Sequence, residues 1–100
     1  MAQLIIVLWR DIPAQVIVKS GRKSAKRELP LRFTEAIDMA AMRSGAAETD
    51  DYLAEWRRAD PVEVSDDLEA EADKAATAIE TEWPQEKLVA IAKAGGRNSA

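Results

Sequence analysis

The sequence predicts an α+β fold, with an N-terminal antiparallel β-hairpin packed against three to four helices. Three observations lead there. Two β-rich apolar runs, residues 3–9 and 14–19, are joined by the short link Arg10-Asp11-Ile12-Pro13. Helical apolar spacing then dominates the rest of the chain. Proline and glycine punctuate it where helices should begin and end. One hundred residues suit one domain, drawn here as residues 1–94 with a flexible C-terminal tail over 95–100.

Each element has its own signal. Leu4-Ile5-Ile6-Val7-Leu8 is continuously apolar, as befits a central strand. Ala14 to Lys19 reads as its partner, and Pro13 fixes φ in the connection. Residues 20–27 are polar and basic and read as a loop or the ragged start of a helix. Pro30 opens a helix carrying Phe33, Ile37, Ala40, Ala41 and Ser44 at helical spacing, and Gly45 stops it. Thr49, followed by Asp50 and Asp51, reads as the cap of a short helix presenting Tyr52, Leu53 and Trp56 and ending near Arg57-Arg58. Pro61-Val62-Glu63-Val64 alternates as a short third strand. Ser65 reads as the cap of a long helix whose stripe is Leu68, Ala72, Ala76, Ile79 and Trp83. Pro84 ends it, and a last helix reaches Ala94 before Gly95-Gly96.

Composition excludes much chemistry. The chain has no His and no Cys, so the usual zinc, copper and haem ligands are missing, as is the usual base for a serine nucleophile. Asp66, Asp67 and Glu69 offer oxygen ligands, but they follow Ser65, where a helix start wants acids anyway. Ser20-Gly21-Arg22-Lys23-Ser24 follows a strand yet lacks the upstream glycine of a phosphate loop. We therefore expect no catalytic residues, no metal site and no cofactor. No run is long and apolar enough for a membrane span, and the opening residues lack a basic leader. With no Cys, a cytoplasmic home is expected.

The net charge of −4 is unevenly spread. Residues 1–47 carry eight Lys/Arg against four Asp/Glu, and residues 48–100 carry six against fourteen. Either the halves neutralise each other on folding or they steer a charged partner. Two candidate contact sites follow. The first is the hairpin end, Trp9, Arg10, Asp11 and Gln15, because Trp and Arg are favoured interface anchors. The second is the basic segment Arg22, Lys23, Lys26 and Arg27, for an anion or a protein partner. The acidic total and the lack of interleaved aromatics argue against nucleic acid. The three Trp residues fit core or interface equally well, and no residue pattern selects or rejects a homo-oligomer.

At Trp9-Arg10-Asp11-Ile12-Pro13-Ala14-Gln15-Val16, with Lys26-Arg27-Glu28-Leu29 and Tyr52-Leu53-Ala54-Glu55-Trp56, the chain resembles a small bacterial family labelled "virulence factor". That family is related to a domain of the staphylococcal conserved virulence factor C. The resemblance spans roughly residues 3–82 and brings no catalytic residues with it. Relatives encoded among corrinoid and folate one-carbon enzymes imply an accessory subunit of such a system. The expected function is thus a non-catalytic protein-interaction domain. The rivals are direct binding of an anionic cofactor or substrate, and weak nucleic-acid binding through the basic segment.

Overall fold

Two apolar runs become the centre of a five-stranded antiparallel sheet. The computed structural model describes residues 1–46 and 48–97, apart from the side chain of Thr49. Strand β1 (Ala2–Trp9) lies between β2 (Ile12–Ser20) on one side and two short strands, β4 (Trp56–Arg58) and β5 (Val62–Val64), on the other. Strand β3 (Lys23–Glu28) pairs with β2 and forms the margin of the sheet. The helices are α1 (Leu31–Arg43), α2 (Thr49–Ala54), α3 (Leu68–Glu82) and α4 (Gln85–Lys93).

The helices cover one face. Helix α3 packs on β2 and β3, α1 packs on β2, and α4 packs on α1. Val16, Val18 and Ala25 from the sheet meet Phe33, Ile37 and Ala40 of α1, Ala72, Ala76 and Ile79 of α3, and Leu88 and Ile91 of α4. On the other face Ile5 and Ile17 form a cross-strand pair, buried yet outside this core.

A register shift re-aims the end of β1. Ile6 pairs with Val16 and Trp9 with Ile12, so three steps on β1 match four on β2, with Ala14 the extra residue. Such a bulge bends the strand and changes which way the following side chains point. Ile6, Trp9, Val16 and Ile12 all pack on the core side as a result.

Three elements differ from those the sequence predicts. Residues 20–27 are not a loop or a helix start. After a tight turn at Gly21 (φ +59°), they enter β3. A single apolar residue, Ala25, faces the core, and Arg27 on the same face is matched by acids of α3. The short helix stops at Ala54 instead of running to Arg58, and Trp56–Arg58 pairs with β1. The long helix is capped by Asp67, whose side chain accepts the Ala70 N–H at 3.3 Å, rather than by Ser65. The second helix begins at Thr49, but the side-chain cap expected of Thr49 lies outside the described residues. The strand expected at 61–64 is present as β5.

Both glycine stops work as expected. The Ala46 N–H bonds Ala41 O across Gly45 (φ +76°), and the Gly96 N–H bonds Ile91 O while the Gly95 N–H bonds Ala92 O. The second set is the paired-bond motif that closes a helix through a left-handed residue. Pro84 starts α4 in the N-cap position, and Arg32 donates to the terminal carbonyls of α3 at Glu80 (3.1 Å) and Trp83 (3.4 Å).

Packing density sets the first expected outcome. Phe33 is fully buried, whereas Met42 is 74% exposed on the same helix. Phe33→Ala should cost about 3–5 kcal/mol in urea unfolding, and Met42→Ala less than about 0.5 kcal/mol.

Candidate functional site

The hairpin tip is held from three directions. Its two turn residues, Arg10 and Asp11, face a conformational problem, since Arg10 has φ +54°, a region side chains other than glycine seldom enter. Contacts from distant segments hold it there. The Arg10 N–H donates to Glu55 O (3.1 Å), and Arg57 Nε donates to Arg10 O (2.9 Å). Arg10 Nη1 donates to Gly95 O at 2.8 Å, and the Asp11 N–H donates to Gly96 O at 2.8 Å. Arg10 Nε lies 3.2 Å from Glu55 Oε2, close enough for an ion pair although not aligned as a hydrogen bond. Glu55 also takes Arg97 at 3.1 Å, and Arg57 pairs with Asp11 at 3.1 Å.

Trp9 is the buried part of this assembly. It is 0% exposed, and its Nε1–H donates to Tyr52 O at 2.9 Å. Its ring lies 5.7 Å from Tyr52, which in turn meets Trp56 edge-on at 5.9 Å. The Arg10 guanidinium sits 5.0 Å from the Trp9 ring centre. Gly96 closes against the same ring, where an added Cβ would stand 3.0 Å from Trp9 Cζ3, 3.3 Å from Ala40 Cβ and 3.4 Å from Arg10 Cδ. Gly96 is therefore required both for its φ of +87° and for this close approach.

The two expected contact sites thus fare differently. Trp9 and Arg10 are turned inward and committed to the chain itself, and Asp11 is held by Arg57. Burial of Trp9 corrects its expected presentation to a partner, whereas Arg10 and Asp11 are part-exposed and engaged within the chain. Gln15 stands apart, in an open cleft of about 260 Å³ shared with Glu28, Thr34 and Trp56. Of the basic segment, Arg22, Lys23 and Lys26 are exposed at the turn and along β3. Arg27 crosses to α3 and binds Asp73 and Glu69. Its hydrogen bonds to Asp73 first, and then to Glu69, hold its pKa further above the ordinary arginine value. It is therefore neutralised within the fold.

The tryptophans divide as well. Trp9 and Trp83 belong to the core, and Trp56 is half-buried against it. Glu55, Gly95 and Gly96 were not singled out by the sequence as partners of the hairpin. The Gly95-Gly96 doublet signals a helix stop, but nothing local reveals that it also receives Arg10 and Asp11. Gly95 and Gly96 are accordingly buried in the fold, Arg97 is exposed and pairs with Glu55, and the rest of the expected tail, 98–100, lies outside the described residues. Among the described residues, no group of three or more acids gathers as a metal site, and no helix is long and apolar enough to cross a membrane.

A family model for virulence factors matches residues 7–92, which include the whole hairpin tip and its Glu55 support. The chain belongs to the virulence factor family. No curated protein and no solved structure matches it. In this virulence-factor domain the family match thus encloses both the buried tip and the basic margin of the sheet.

Two outcomes follow from the tip. Gly96→Ala should lower stability by about 1–3 kcal/mol, read by thermal or urea unfolding, because it adds a Cβ against Trp9 at a left-handed position. Tyr52 is the only tyrosine. Burial first, then the nearby Asp38 charge, push its pKa above the ordinary 10.0, against a hydrogen bond with Trp56 that lowers it. The unfolded chain therefore loses this proton first as pH rises. The stabilisation is full below pH 10.0 and is lost as pH climbs through the higher folded value. Phenolate absorbance should show Tyr52 ionising above free tyrosine, and Tyr52→Phe should flatten the alkaline fall in stability.

Proposed function

We propose that this domain is a protein-interaction module without chemistry of its own, and that it binds an acidic segment of a partner protein along β3. The observation that carries this reading is the free basic margin of the sheet. Strand β3 is the last in its sheet, with β2 on one side only. Its outward backbone groups are a template for a further strand, apart from Lys26 O, which already accepts from Arg27 Nη1 at 2.7 Å. Arg22, Lys23 and Lys26 are exposed there, while Arg27 already has its carboxylates. Lysines on an edge repel a second copy of the same edge, so the surface favours a strand of opposite charge.

The resemblance drawn from the sequence supplies the partner to test first, an enzyme of corrinoid- or folate-linked one-carbon chemistry, served by this domain as a cytoplasmic accessory subunit. Direct capture of an anionic cofactor would use the same three cations, and so would weak nucleic-acid binding. The three readings differ in what binds the isolated domain and in how it binds.

The test begins with tagged wild-type and Lys26→Glu domains recovered from the native cells with their companions. A companion held by the wild type and lost by the variant is then purified and titrated. Lys26→Glu should weaken its binding about tenfold, and added salt should weaken wild-type binding further. Undiminished affinity of the Lys26→Glu variant would sink the β3 assignment. Saturable calorimetric binding of a folate or cobalamin to the isolated domain would instead favour the cofactor reading. Affinity for any DNA fragment that falls steeply with salt would favour the nucleic-acid one.

A further inference from the structure

The outward side of α1 carries an unused apolar surface. Met39 is 41% and Met42 74% exposed, and with Glu35, Asp38, Arg43 and Lys93 of α4 they line a groove of about 540 Å³. Glu35, Met39 and Arg43 follow one another at intervals of four residues. They therefore form a single ridge along the helix, of the kind that packs into the groove of another helix. Met side chains adapt readily to such a contact.

Among the described residues, the charges on that ridge have no ion-pair partner. Glu35 and Arg43 are about 12 Å apart along the helix, too far to meet. The helix dipole accounts for Arg43, which lies in the last turn, but not for Glu35, since the first turn holds no acid and Glu35 lies beyond it.

From this arrangement we infer that the domain forms a two-fold dimer through α1, with Met39 at the axis. The order acid, methionine, base is self-complementary under a two-fold rotation. An antiparallel second copy sets Glu35 level with Arg43 of the second copy, and Arg43 level with Glu35 of the second copy. Met39 meets its own equivalent, and Met42 is covered beside it. A different helix would need the same reversed order of charges at the same spacing, and a second copy supplies it by symmetry. A single contact between helices of about 20 Å is small beside a standard interface, so the dimer is weak and concentration-dependent.

The experiment is sedimentation equilibrium across a concentration series, with complementation between two variants. The wild type should rise from 11.0 kDa toward twice that mass. Glu35→Lys and Arg43→Glu should each dissociate about tenfold more readily, because each places two like-charged pairs across the axis. An equimolar mixture of the two variants should recover the dimer, since the mixed pair joins Lys with Glu at one end and Arg with Glu at the other. That recovery also shows that both variants are folded. A wild type that stays at 11.0 kDa at every concentration overturns the inference. So does a dimer indifferent to both substitutions, or a mixture that stays as dissociated as its components. The surface is separate from β3, so either result leaves the partner reading to its own test.

Discussion

The packing of Trp9 beneath Gly96 is the contact on which the rest of the arrangement depends. It joins the end of β1 to the turn that closes α4, more than eighty residues later in the chain. Without a glycine there, the α4 turn could not approach the ring, and Gly95 O and Gly96 O would not stand where Arg10 and Asp11 reach them. The left-handed Arg10 costs on the order of 1–2 kcal/mol in backbone strain. It persists because its own N–H, its carbonyl and its side chain all have partners in segments that the fold brings to the same place. Strain and support are therefore parts of one construction, in which the hairpin tip serves as the clasp between the sheet and the last helix.

The same view explains where the charge asymmetry goes. The basic first half and acidic second half meet as Arg10 with Glu55 and as Arg27 with Asp73 and Glu69. The Arg27 pairs, exposed on their acidic side, add little energy, but together with Arg10–Glu55 they decide which cations stay uncommitted. Arg10 and Arg27 are occupied inside the fold, while Arg22, Lys23 and Lys26 remain outside it. A count of basic residues along the sequence cannot make that distinction.

Much of the fold was legible for a physical reason: α1, α3 and α4 each bury one stripe, and Pro30, Gly45, Pro84 and Gly95 mark their ends. The strands that escaped notice lack such a signal. β3 shows one buried apolar residue, Ala25, and its other inward position is an arginine whose match lies forty residues away. β4 is three residues long and exists because Trp56 lies beside Trp9 across the sheet. At the candidate site, the prominence of Trp9 and Arg10 was legible, but their inward direction was not. That direction depends on Tyr52, Glu55 and the Gly95-Gly96 turn, none of them sequence neighbours.

The two surfaces proposed for partners lie on different parts of the fold, and this has a consequence for affinity. β3 is a sheet margin, and the Met39 ridge is the side of α1 turned away from the sheet. A pair of domains joined through α1 keeps both basic margins free and holds them in a fixed relation. Binding at one margin then raises the effective concentration at the other, so a partner with two acidic segments of matching spacing is held far more tightly than either segment alone. Weak self-association and weak edge pairing are compatible with a firm complex on these terms. The small apolar area that one such domain can offer is then no obstacle to a stable assembly.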